Sequence, residues 1–113
     1  MKNYSGIELV AVNDLYHGLM WDQRNGRVPS VEEIAKRIQG MMAGEKMDKS
    51  EWSVHCKLAA IQGLRGEMGL AQLNNLEPMD CLEDREELES LIGSYEYLFK
   101  CMDREQAGDT RVS

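Results

Sequence analysis

Nothing in these 113 residues is apolar for long enough to cross a bilayer. The richest stretch, Ile7 to Val12, is already interrupted by Glu8, whereas a spanning helix needs roughly 20 predominantly apolar residues. The opening Met-Lys-Asn-Tyr-Ser-Gly has one lysine but no uninterrupted apolar core and no small-residue cleavage pattern behind it. No secretory signal is expected, and the expected location is cytoplasmic. Cysteine is scarce: Cys56, Cys81 and Cys101 form an odd set without close metal-binding spacing, which reads as reduced thiols acting as small apolar fillers. If Cys81 and Cys101 shared a helix they would stand about 30 Å apart and could not bridge. Histidine is scarcer still, with only His17 and His55. His55 adjoins Cys56, but neighbours on a helix diverge by about 100° and share a ligand poorly. A metal would need a dispersed set of His17, His55, Cys56 and a carboxylate, so neither a metal nor any other cofactor is expected.

What is present suits one folded domain. Apolar residues make up 42% of the chain and charged residues 29%, an ordinary balance for a globular protein and enough length for one core. Charge is informative by position. Residues 1–76 carry nine acids and nine bases, whereas residues 77–113 carry eleven acids and four bases, so the whole net charge of −7 belongs to the last third. Six acids, Asp80, Glu83, Asp84, Glu86, Glu87 and Glu89, fall within ten positions around the single base Arg85. Such a field repels phosphate backbones and attracts a basic partner.

Four segments open with a short polar residue followed three places later by an acid: Ser5 with Glu8, Ser30 with Glu33, Asp48 with Glu51, and Asp80 with Glu83. This is the spacing at which a side chain caps free backbone amides while the acid reaches back. Staples of Tyr4 on Leu9 and Met47 on Trp52 reinforce two of these starts. The only two prolines, Pro29 and Pro78, sit just ahead of helices, where they break no ladder. A first helix is expected over 5–22, with Leu9, Val12, Tyr16 and Leu19 or Met20 inward and Ile7, Ala11 and Leu15 widening the stripe. A second, over 30–43, presents Val31, Ile34, Ala35, Ile38, Met41 and Met42, with Gly44 as its stop. A third segment over 48–74 turns Trp52, Cys56 or His55, Ala59, Ala60 and Leu64 inward. Gly63, Gly66 and Gly69 recur inside it at about 1 kcal/mol each, which predicts a kink, a break near 66, or another backbone passing close. The fourth, over 80–104, is the most regular, with Leu88, Leu91, Ile92, Tyr95, Leu98, Phe99 and Met102 on one face. The fold expected is therefore an all-α, four-helix bundle-like domain over 1–113, its third helix kinked or broken at Gly63–Gly69, with 105–113 as a flexible tail.

Catalytic patterns are missing. The run Gly63-Leu64-Arg65-Gly66-Glu67-Met68-Gly69 lacks the Gly-Lys-Ser/Thr ending of a phosphate loop. The same run resembles the Leu-Lys-Gly core of histidine-phosphotransfer bundles. In that family the phosphorylated histidine precedes the leucine by two, and here that place holds Gln62, so no site is carried over. Cys81 in the first turn of the fourth helix is surrounded by acids that oppose a thiolate. Glu83 with Glu87 and Asp80 with Asp84 stand four apart, as on one helix face, without a matching motif elsewhere to make an acid/base or cation site.

These observations favour a noncatalytic protein-interaction module, a small regulator, adaptor or inhibitor. Its partner would present a basic surface to Asp80, Glu83, Asp84, Glu86, Glu87 and Glu89, while Met41, Met42, Met47 and Trp52 supply an apolar contact. The alternative is an acidic surface imitating nucleic acid to block a nucleic-acid-binding protein. Direct nucleic-acid binding through Lys36, Arg37, Lys46, Lys49, Lys57 and Arg65 ranks lower. A homo-oligomer is compatible with each, since a second copy can complete a broad apolar stripe.

Overall fold

Three of the four helix starts are set by a serine hydroxyl. In the computed structural model, which describes residues 4–45, 47–81 and 83–106, Ser5 makes a full capping box. Its Oγ accepts from the Glu8 amide at 3.1 Å while the Glu8 carboxylate accepts from the Ser5 amide at 2.9 Å. α1 follows over Gly6–Arg24. Ser30 Oγ accepts from the Glu33 amide at 3.1 Å and opens α2, Val31–Glu45. The third start differs from the expected Asp48: Ser50 Oγ takes the Ser53 amide at 3.0 Å, and α3 runs Glu51–Glu67. Each such cap is worth about 1 kcal/mol. The fourth start is also later than expected. Asp80 and Glu83 precede the helix, and α4 spans Arg85–Gln106 behind Asp84, which holds a left-handed φ of 59°, a conformation that aspartate tolerates better than most residues. Its carboxylate meets Lys57 at 3.1 Å, and its carbonyl accepts the Leu88 amide.

The helices form a compact all-α bundle in which α1 and α3 each touch every other helix, while α2 and α4 flank them. Water is excluded from an interior built by Leu9, Val12, Tyr16 and Leu19 of α1, Ile34 and Ile38 of α2, Leu58, Ile61 and Leu64 of α3, and Leu88 and Ile92 of α4. α1 presents its expected stripe, save that Ile7 is 78% exposed. On α3 the expected Ala59, Ala60 and Leu64 are buried, but Trp52 points to solvent, His55 and Cys56 are half-buried, and Val54, Leu58 and Ile61 occupy the centre as well. The reason is that α3 is buried on nearly every side, so its polar Lys57, Gln62 and Arg65 are interior as well and erase the one-sided pattern. On α4, Leu88 and Ile92 are buried and Leu91 packs partly against the core, but Leu98 and Met102 are exposed. Of the expected tail, Glu105 and Gln106 belong to α4, and 107–113 lie outside the described residues.

α3 stops inside the glycine run, and two of its glycines have separate reasons. Gly69 holds φ of 73° and closes a Schellman motif, the Leu70 amide bonding Arg65 O at 2.8 Å and the Gly69 amide Gly66 O at 3.1 Å. Gly63 lies where the returning chain crosses: a Cβ there would collide with the Met79 carbonyl, while the Met79 amide bonds Ala59 O at 3.0 Å.

That returning segment, 70–81, has no helix or strand of its own, so its buried backbone groups need side-chain partners. Gln62 supplies them. Its Nε2 donates to Leu73 O at 2.7 Å and Leu76 O at 2.6 Å, while its Oε1 accepts from the Leu73 amide at 3.0 Å and from the Tyr16 hydroxyl. Arg65 Nε donates to Ala71 O at 2.7 Å, and Gln23 bonds Gln72 O and the Asn74 amide. Gln62→Met fills similar space but strands several buried groups at about 1–3 kcal/mol each. A loss of roughly 3 kcal/mol in urea denaturation is expected, and a loss below about 1 kcal/mol is inconsistent with the clamp. Gly63→Ala should cost about 2 kcal/mol despite alanine's better helix preference. Gly40→Ala, on an open face of α2, should instead gain about 0.5–1 kcal/mol; the two midpoints measured side by side check the close approach.

Candidate functional site

The acidic residues divide between a bend and a helix rather than sharing one helical face. Asp80 and Glu83 are exposed on the approach to α4, and Glu86 and Glu87 are exposed in its first turn, where the helix dipole favours negative charge. Asp84 is half-buried on Lys57, and Glu89 lies 3.5 Å from Arg85 Nε. Because α4 begins at Arg85, the four-residue pairs Glu83–Glu87 and Asp80–Asp84 do not lie on a common helix turn. Cys81 likewise lies ahead of α4. It is buried, its Sγ donates to Glu83 O at 3.1 Å, and burial pushes the thiol up from its ordinary value, which makes it a filler rather than a nucleophile.

The methionines are less available than the tryptophan. Met41, Met42 and Met47 are half-buried against the core, and Trp52 is 74% exposed with its ring over His55. An apolar depression beside the acids lies elsewhere, between the start of α1 and the start of α4. Tyr4, Leu9, Val10 and Leu91 form its apolar lining, Asp84, Glu86 and Glu87 its acidic one, and it encloses about 710 Å³. A shallower continuation runs along α1 past Ile7, Val10, Ala11 and Asp14. Its floor is stiff: the Tyr4 hydroxyl meets Ser53 Oγ at 2.8 Å, and the Tyr4 ring lies against Lys49 at 4.9 Å and Lys57 at 4.8 Å. Both lysines are paired, Lys49 with Glu8 at 2.9 Å and Lys57 with Asp84. Only the breadth of the α1 stripe signals this groove in the sequence, because nothing local says which helix will lie alongside Val10.

The bases read as a basic face are largely committed to carboxylates. Arg37 pairs with Asp22, holding that carboxyl below its usual range, and Arg65 pairs with Glu96 at 2.7 Å. Lys36 is exposed, and Lys46 lies outside the described residues. Among the described residues no group of three or more His, Cys, Asp or Glu side chains could hold a metal, and no helix is long and apolar enough to cross a membrane.

A second polar feature lies between α1, α3 and α4 and was not anticipated. Arg65 is 1% exposed, Asn13 0% and His17 4%. Both polar side-chain atoms of Asn13, both ring nitrogens of His17 and Nη1 of Arg65 lack protein partners. His17 is stacked on Tyr95 at 4.7 Å and on Phe99 at 5.0 Å between ring centres. Burial, assisted by the charge of Arg65, lowers its pKa to about 4. Tyr95 donates to Asp14 and is pushed up to about 12, chiefly by burial.

The shift of His17 makes stability depend on pH. Between about 4 and 6.5 the unfolded chain binds a proton on this ring that the folded chain refuses, so the stabilising contribution is complete above about 6.5 and is lost as pH falls. From pH 7.5 to pH 5 the loss should be about 2 kcal/mol. His17→Phe keeps a ring for Tyr95 and Phe99 to stack on, and should flatten the pH dependence of the urea midpoint by about that amount. An unchanged slope would mean that the ring charges freely in the folded state.

Set against protein-family models, curated protein sequences and solved structures, the chain matches none.

Proposed function

We propose that this chain is a noncatalytic interaction module whose partner is a protein segment with basic side chains flanking an apolar stripe, seated between the starts of α1 and α4. The observation that carries this reading is the groove of Tyr4, Leu9, Val10 and Leu91 with Asp84, Glu86 and Glu87 on the same lining. An apolar lining gives desolvated contact, and carboxylates beside it give charge selection and a fast, salt-sensitive encounter. Ile7, exposed on the continuation along α1, lengthens the apolar track enough for several turns of an amphipathic helix. The internal pairing of Arg37, Lys49, Lys57 and Arg65 favours a protein over a nucleic acid as partner. Trp52, Asp80 and Glu83, with the edges of Met41, Met42 and Met47, are additional contact points around the same body. The shortage of convergent catalytic groups supports a role by occupation, as regulator, adaptor or inhibitor.

The test uses a lysine-rich amphipathic helical peptide with leucines at i, i+3, i+4 and i+7, and a control carrying glutamate for every lysine. Methyl signals of Leu9, Val10 and Leu91 should shift on titration with the first peptide and not the second. Glu86→Lys with Glu87→Lys, both exposed, should weaken the dissociation constant at least ten-fold and reduce its salt dependence. Equal affinity for the two peptides, or shifts centred on another surface, would overturn the assignment.

A further inference from the structure

Leu88 and Ile92 are wholly excluded from water, but none of residues 93–102 beyond them is buried. The boundary falls at Gly93-Ser94, a pair of the kind at which helices bend, and a Cβ at Gly93 would meet nothing. What fastens α4 past that point is a polar and aromatic cover over His17. Tyr95 and Phe99 stack on its ring, Tyr95 donates to Asp14, and Glu96 meets Arg65 at 2.7 Å. The ring is 4% exposed, and neither nitrogen has a protein partner. An imidazolium there would need acceptors for two N–H groups. The ionisable groups around it are Asp14, Tyr16 and Arg24 of α1, Arg65 of α3, and Tyr95, Glu96 and Lys100 of α4. None bonds the ring, and the two carboxylates are engaged by Tyr95 and Arg65. Charging His17 therefore requires water, and the cover that keeps water out is α4.

We infer that acid unfastens the outer part of α4: residues 94–106 open back to Gly93-Ser94, His17 takes a proton in the water this admits, and the charged ring then opposes closure. Leu88 and Ile92 hold the inner turns throughout. The groove between the starts of α1 and α4 lies on that anchored side and does not depend on this device. The direction of the effect follows from the ring. Closed, it binds a proton at about 4, and opened at its ordinary 6.5, so opening is unassisted above 6.5 and gains as pH falls. From pH 7.5 to pH 5 the open population should rise about 30-fold.

Hydrogen exchange of single amides tests this, expressed as protection factors so that the pH dependence of the exchange chemistry cancels. The amides of Tyr97, Leu98 and Phe99, which bond back to residues 93–95 within the helix, should be roughly ten-fold or more less protected than those of Leu58 and Ile61 in α3. Their protection should fall about 30-fold between pH 7.5 and pH 5. His17→Phe keeps a ring beneath Tyr95 and Phe99 with nothing to protonate, and should reduce that fall to less than about three-fold. Gly93→Ala, which has room for its methyl group, should raise the protection of the same amides about five-fold. Four outcomes overturn the proposal. Protection equal to that of Leu58 and Ile61 would mean that α4 opens only with the whole fold. A fall below about three-fold in the unaltered chain would mean that opening leaves the ring covered, and the full fall kept in His17→Phe would place the proton elsewhere. Unchanged protection in Gly93→Ala would put the end of the opening segment somewhere other than Gly93-Ser94. Should His17→Phe fail to fold, the two pH values on the unaltered chain still decide the matter.

Discussion

The side-chain amide of Gln62 takes the place of a missing strand. Residues 70–81 cross the flank of α3 without regular structure, and an irregular backbone can be buried only if something else satisfies it. One amide bonds Leu73 through both its N–H and its carbonyl, adds Leu76, and closes on Tyr16 from α1. Everything C-terminal follows from that anchorage. With Leu73 and Leu76 fixed, Met79 lands on Ala59 and leaves no room for a side chain at residue 63. Cys81 is carried into the core, and Asp84 arrives over Lys57, which sets where α4 begins. The acidic wall of the groove is in this sense positioned by a neutral residue in the middle of the protein.

The parts of the fold that were legible in the sequence are those governed by local rules. Ser5 and Ser30 cap as their spacing requires, and α1, α2 and the first half of α4 bury most of the expected aliphatic residues, with Ile7 and Val31, each at the first turn of its helix, left exposed. The misreadings share one cause. α3 is enclosed, so Lys57, Gln62 and Arg65 are interior by pairing rather than by apolarity, and a helix with polar residues on its buried face gives no stripe to read. Its start lies two residues beyond the expected Asp48 because Ser50 caps without an acid three places on, so the true start lacks the signature that Asp48 with Glu51 carries. Asp80 with Glu83 has the same spacing without starting a helix, since Met79 is still bonded to Ala59 of α3 and the chain turns into α4 only at Asp84. As for the candidate sites, the acids were visible as a cluster, but their apolar companions were not. Val10 and Leu91 are 81 positions apart, and His17, Arg65 and Glu96 become neighbours only when three helices meet.

α4 borders both the acidic groove and the buried polar cluster around Arg65. Its first turn brings Glu86 and Glu87 to the groove, while Glu96, Phe99 and Lys100 border the cluster further along. Arg65 is what keeps these regions distinct. It is neutralised by Glu96 on one side and lies against the Tyr16 ring at 5.1 Å on the other, so its charge is used inside the bundle. Removing one partner of such a pair costs several kcal/mol, about 3–5 in known cases, because it leaves the other charge buried and uncompensated.

The manner in which α4 is attached has a consequence for how the molecule breathes. Its inner turns are held by Leu88 and Ile92, both fully excluded from water, whereas its outer turns rest on half-covered rings and leave Tyr97, Leu98 and Met102 in solvent. A rod fastened at one end only peels from the other. Fraying there proceeds turn by turn at a fraction of the cost of global unfolding, and it uncovers His17 and Arg65 while the aliphatic interior stays shut.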